Sequence, residues 1–408
     1  MIPVVWIAWR SDIKPLLPSF SPTYIKSQEK NPRGFSKKET AKYLGIGAFL
    51  KAKQHNASLI AAEKKKAVTG KIRAGFYVDW DPQAFTSLQS HISDMNMVIP
   101  EWLFIDSASG KLFPQVDTAA YNLMKKNSVK ILPILNNVNI NTHNGNFDGG
   151  LLERVLLNPA KKEQLINDLV QFLQKYKLQG INIDFEEIKE TSIEAMHVFQ
   201  KELYNKLHQE GFLVTQNIMP EDEDFDTKEL VKYNDYIFLM AYDQHWDQSV
   251  PGPISDQKWI EKETDEIAKS IPPGKLVLGM AAFGYDWPEG DEATPVTYQH
   301  ALSTARAKNA PIDFDNDSYN CSYSYTGDDS VIHRVYFVDA GGNFNTIRFA
   351  DQYGAAGVAL WRLGSEDERI WKFYSRDLTN ESLKTLPFDF SSLSHIDMMT
   401  EKPDFGIA

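Results

Sequence analysis

The stretch from Leu178 to Ile188 reads Leu-Gln-Gly-Ile-Asn-Ile-Asp-Phe-Glu-Glu-Ile. In a β-strand successive side chains point to opposite faces, so Ile181, Ile183 and Phe185 share one side while Asn182, Asp184 and Glu186 share the other. A strand that offers an apolar face to covering helices and aims polar groups at a common point suits a (β/α)8 barrel, where functional side chains project from the C-terminal strand ends. An antiparallel edge strand with its acidic side in water would show the same alternation. Two carboxylates on one face disfavour each other's ionisation, which leaves a neutral acid beside an anion near neutral pH and equips the site for acid catalysis.

The rest of the chain supplies partners for such a strand. Short apolar runs alternate with helix-period segments after Lys71, the signal of βα units. Eight strands are expected at Arg73 to Asp79, Val98 to Ile105, Lys130 to Leu135, Gly180 to Glu186, Leu213 to Ile218, Tyr236 to Tyr242, Leu276 to Ala282 and Gly357 to Trp361. Helices are expected between them, among them Lys161 to Tyr176 with Leu165, Leu169 and Phe172 on one stripe, and Ser192 to His208 with Phe199 and Leu203. The interval from Trp287 to Gly354 exceeds an ordinary βα loop and holds turn-rich Asp313 to Asp329 and strand-like Val331 to Val338. It reads as a small α+β insertion between strands seven and eight that lines a cleft, or else as a long surface loop.

Charge is unevenly spread over the 408 residues. Residues 1–71 hold 14 Lys and Arg against 4 Asp and Glu, whereas the remainder holds 29 against 51. An acidic body argues against nucleic acid as a partner and favours a neutral or cationic substrate. The single cysteine, Cys321, excludes an internal disulfide, and the nine histidines form no tight metal-ligand spacing, so no metal or other cofactor is expected.

Three segments are expected. Residues 1–70 form a basic extension: apolar Met1 to Trp9 is too short to cross a bilayer, Pro15, Pro18 and Pro22 mark a linker, and Ser36-Lys-Lys-Glu39 caps an amphipathic helix. The lysines of that helix either touch anionic membrane headgroups or form a solvated face. Residues 71–378 form the barrel, and residues 379–408 a polar tail or linker.

Gly180-Ile-Asn-Ile-Asp-Phe-Glu186 resembles the Asp-Gly-x-Asp-x-Asp-x-Glu signature of glycoside hydrolase family 18, with Gln179 in place of the first Asp and Asn182 in place of the second. Ala74-Gly-Phe-Tyr-Val-Asp-Trp80 is similar to the family's first strand, Tyr236-Ile-Phe-Leu-Met-Ala-Tyr-Asp243 to its sixth, Leu278-Gly-Met-Ala-Ala-Phe-Gly284 to its seventh and Gly357-Val-Ala-Leu-Trp361 to its eighth. The extension Ala359-Leu-Trp-Arg-Leu-Gly-Ser-Glu-Asp367 resembles two groups within the family: hydrolase domains of bacterial proteins that also carry a polysaccharide deacetylase and a family 2 glycosyltransferase, and barrels of spore-cortex glucosaminidases.

The resemblance implies a retaining hydrolase of β-linked N-acetylglucosamine polymers, with chitin-type chains, peptidoglycan and biofilm glycan all open as substrates. A lectin-like barrel without turnover is the alternative, against which the presence of Glu186 weighs. It implies that Glu186 is the general acid and then base, that Asp184 orients the substrate acetamide, and that Tyr242 donates a hydrogen bond to the acetamide oxygen. Asp243 would help hold the distorted sugar, Trp361 would be its apolar floor, and Tyr77 and Met240 would line the cavity or fill the barrel. Asn136 and Asn137 end the third strand where the family commonly has a glycine pair, and they either narrow the pocket or add hydrogen bonds. Asn182 replaces a carboxylate that would share a proton with Asp184. The location expected from such a substrate is extracytoplasmic.

Overall fold

The computed structural model describes residues 70–385 apart from 141–145, 222–224, 316 and 329. The basic extension with its capped helix, and the tail beyond Thr385, lie outside the described residues. Among those described, no helix is long and apolar enough to cross a membrane.

Eight parallel staves close into a barrel: Ile72–Tyr77, Met97–Ile105, a third in two pieces (Lys130–Ile131 and Ile134–Asn136), Gly180–Asp184, Leu213–Ile218, Tyr236–Met240, Leu276–Ala281 and Gly357–Trp361. The first strand pairs with both the second and the eighth, which closes the eight staves on themselves. The third strand breaks at Pro133, which has no N–H to give to a ladder. Gly180 opens the fourth strand because a Cβ there would lie 2.2 Å from the Leu213 carbonyl oxygen.

Period-two alternation sorts side chains into two layers. Ile72, Ala74, Phe76, Met97, Ile99, Ile134 and Phe238 fill the barrel interior. Ile181, Ile183 and Phe185 instead join the larger layer between strands and helices, where Leu165, Leu169, Phe172, Phe199 and Leu203 meet them. The covering helices Pro159–Tyr176 and Ile193–Gln209 fall where the hydrophobic stripes place them. Asn158 caps the first by accepting from the Lys161 backbone N–H, and Lys177 ends it in the left-handed region. Leu378 and Leu383, the latter in the short helix Asn380–Thr385, are buried in this layer too.

Between strands seven and eight stands an α+β unit. Strands Phe283–Pro288, Thr294–Thr297, Asp313–Phe314, Cys321–Thr326 and Ile332–Phe337 form an antiparallel sheet. Helix Tyr298–Ala307 packs on its apolar side through Ala301, Leu302 and Ala305 against Cys321, Tyr323, Val335 and Phe337. Strand Cys321–Thr326 lies inside the stretch that reads as turns, because serines alternate with its inward tyrosines and dilute the apolar signal.

Candidate active site

Strand four turns its polar face into the barrel mouth. Asn182 is fully buried and Asp184 is 8% exposed. Their hydrogen bonds form a chain with one allowed direction. Thr215 Oγ1 donates to the Ile181 carbonyl at 3.0 Å, so it accepts from Asn182 Nδ2, also at 3.0 Å. The same Nδ2 donates to Asn217 Oδ1 at 3.0 Å, and Asn217 Nδ2 then donates to Asp184 Oδ1 at 2.9 Å. Asn217 therefore bridges the amide and the acid. Asn182 Oδ1 is left buried with no partner, a position that costs on the order of 1–3 kcal/mol unless a donor reaches it.

Burial raises the Asp184 carboxyl to about 6, against the lowering effect of the Asn217 N–H. An aspartate at position 182 would face Thr215 and the Asn217 Oδ1 with lone pairs only, and its charge, one side chain away from Asp184, would disfavour ionisation of that acid. Asn182→Asp is expected to move the pH profile of kcat/KM toward higher pH by about one unit or more; a profile that stays in place would show that position 182 does not touch the proton inventory.

The fourth strand ends at Asp184, and the sixth at Met240, each two residues short of the expected end. After the fourth strand the Asn137 side chain takes over where the ladder stops. Asn137 Oδ1 accepts from the Glu186 backbone N–H at 3.1 Å, and Asn137 Nδ2 donates to the Glu186 carbonyl at 2.9 Å. This two-way clamp fixes the Glu186 backbone just before Glu187 turns the chain at φ 55°, and the Glu186 side chain is half-buried.

Tyr242 is buried, and its hydroxyl is pushed well above the usual phenol range by burial and then by the charges of Asp184, Asp243 and Glu186. It is held as a neutral donor among three acids. Asp243 sits in the left-handed region at φ 59° and accepts from Tyr285 Oη at 3.0 Å. Burial of its carboxyl, and then the charge of Asp247, raise it to about 6 against the lowering effect of the Tyr285 hydroxyl. Met240 packs with Tyr242, Ala281 and Trp287 in the wall that joins barrel and insertion. Trp361 ends strand eight half-buried, edge-on to Phe76 at 5.3 Å, and its peptide bond to Arg362 is cis. Tyr77 donates to Asp117, so its hydroxyl is already engaged.

Two features escaped the reading of single segments. Glu101, on the inward face of strand two with Met97 and Ile99, takes Asn136 Nδ2 on Oε1 at 3.1 Å and Trp80 Nε1 on Oε2 at 2.9 Å. Its parity with those two residues was the available signal. Asn136 thus adds hydrogen bonds, to Glu101 and, through Oδ1, from the Val138 N–H at 3.3 Å. Asn217 and Thr215 carried no motif, and only the parallel register Asn182↔Thr215 brings them to the acid face. No group of three or more His, Cys, Asp or Glu among the described residues suits a metal ion. A groove of about 360 Å³ lined by His197, Lys201, Glu229 and Tyr233 lies on the outer helical layer and holds none of these residues.

Several proteins similar to this chain carry glycosylase, cortical fragment-lytic or chitinase names. An uncharacterized glycosylase of Bacillus subtilis, YvbX, is 26% identical over 307 residues, covering 72% of this chain and 88% of that protein. A cortical fragment-lytic enzyme of Bacillus anthracis is 26% identical over 254 residues, 59% of each chain. The solved chitinase of Chromobacterium violaceum superposes with a TM-score of 0.69 at 22% identity, covering 76% of this chain and 99% of that one, and so shares the fold. The family model for glycosyl hydrolases family 18 matches residues 72–367, and the chain belongs to that family as a glycoside hydrolase.

Proposed function

We propose that this glycoside hydrolase cleaves β-linked N-acetylglucosamine polymers with retention, using the substrate's own acetamide as nucleophile. The observation that carries the reading is the gathering of Asp184, Glu186 and a protonated Tyr242 at one barrel mouth. Glu186 gives its proton to the glycosidic oxygen as the C–O bond breaks. The acetamide carbonyl oxygen forms a bond to the anomeric carbon, and a cyclic oxazolinium results. Asp184 offers charge to the acetamide nitrogen, and Tyr242 donates to the acetamide oxygen. The Glu186 carboxylate then takes a proton from water, and the water oxygen opens the ring from the face the leaving group occupied. Trp361 stacks beneath the reacting pyranose. The names of the chitinase and cortical fragment-lytic relatives support polymers of this class. Such polymers place the work outside the cytoplasm.

The test is incubation with acetylated chito-oligosaccharides, poly-β-1,6-N-acetylglucosamine and peptidoglycan fragments, with mass spectra of the products and proton NMR of the first anomer formed. Release of fragments with the β-anomer appearing first is expected. An initial α-anomer, or no release from all three, would remove the proposal.

A further inference from the structure

The rim of the cleft carries negative charge that the fold leaves uncompensated. Glu101 is half-buried, and the hydrogen bonds to its two oxygens come from uncharged donors, the Trp80 indole and the Asn136 amide. That pair of donors fixes the carboxylate in orientation without cancelling its charge. Burial, and the nearby charges of Asp184 and Asp79, push its carboxyl upward. Among the described residues no lysine or arginine forms an ion pair with Glu101, Asp79, Asp184 or Asp243. Arg362 does stand at this rim, its guanidinium 4.3 Å over the Trp80 ring, but it is paired with Asp81. A ligand that brought its own positive charge would relieve this repulsion, and a neutral one would not.

Within a chain of N-acetylglucosamine units, the smallest change that supplies a cation is loss of one acetyl group, which leaves an ammonium. The reacting unit must keep its acetamide if that group is the nucleophile, so the ammonium has to lie on a neighbour. Glu101 is tied on one side to Asn136, the register partner of Asp184 at the proposed reacting centre, and on the other to the 60% exposed Trp80, the neighbour of Asp79 at the outer edge. It therefore stands beside the reacting unit, not beneath it. We propose that Glu101, supported by Asp79, selects a glucosamine unit next to the reacting N-acetylglucosamine, so that the preferred substrate is a partly N-deacetylated chain. This rests on the hydrolase reading above.

The experiment competes fully acetylated tetramer against tetramers carrying a single glucosamine at defined positions, with kcat/KM for each read from mass spectra, for the wild-type chain and Glu101→Gln. In the wild type, one positional isomer is expected to exceed the fully acetylated tetramer by about tenfold or more, a preference that shrinks at high salt. In Glu101→Gln the ratio is expected to fall toward one. The ratio is taken within each protein, so partial loss of folded enzyme cancels. A wild-type ratio at or below one for every isomer, or the same ratio in the variant, overturns the selectivity while leaving the hydrolase reading in place. Failure of the wild type to cut any of the tetramers overturns both.

Discussion

Glu186→Gln is expected to lower kcat on N-acetylglucosamine oligomers by roughly 10²- to 10⁴-fold, the contribution of a positioned general acid. The fold should absorb the change well, because the Asn137 clamp holds the backbone N–H and carbonyl of residue 186 and makes no demand on its side chain. Glutamine keeps the size and a hydrogen-bonding amide but has no proton to give to a leaving oxygen. Oligomer binding, measured by titration calorimetry, should therefore stay close to that of the wild type while turnover collapses. Equal turnover in the two proteins would take the acid's role away from Glu186.

Asp184→Asn has two expected effects of opposite sign. Turnover should fall on the order of 10²- to 10³-fold, because the charge that stabilises the cationic intermediate in the proposed mechanism is gone. Stability should rise. Burial raises the Asp184 carboxyl from its ordinary 3.8 to about 6, so the folded state holds its proton more tightly than the unfolded state does. Below about pH 4 both states are protonated and nothing is lost; as pH rises through the window from about 4 to 6, folding must bear the cost of an ionised buried acid, up to about 3 kcal/mol above it. The amide that replaces the carboxyl carries no such cost and can still accept from the Asn217 amide. Urea unfolding should thus find the variant more stable near pH 8 and level with the wild type near pH 4. A gain that is the same at both ends would mean that ionisation of Asp184 is not its source.

Much of this was legible because it is local. The alternation from Leu178 to Ile188 places Ile181, Ile183 and Phe185 against the helices and Asn182 and Asp184 inside, and a period of two leaves no other sorting. Strands Leu213–Ile218 and Gly357–Trp361 keep their expected limits. The fourth strand ends earlier than its alternation, since at the mouth a side chain, Asn137, replaces the ladder. What stayed hidden depends on register across the barrel. Nothing in the segment Leu213–Ile218 announces that Thr215 and Asn217 will fix the polarity of the Asn182 amide, and Glu101 gains meaning only when Trp80 and Asn136 converge on it. Strand Cys321–Thr326 was obscured for a different reason, namely that serines fill its solvent-facing positions.

The central claim is that the reacting sugar supplies the nucleophile, and removing that nucleophile tests it most directly. Two tetramers that differ only in the acetamide of the unit giving up its glycosidic bond should part sharply in kcat/KM, with the bond after the acetylated unit cut and the bond after the deacetylated one left intact. Cleavage after the deacetylated unit at a comparable rate would contradict the account, because a carboxylate of the protein or a water molecule would then have to make the attack.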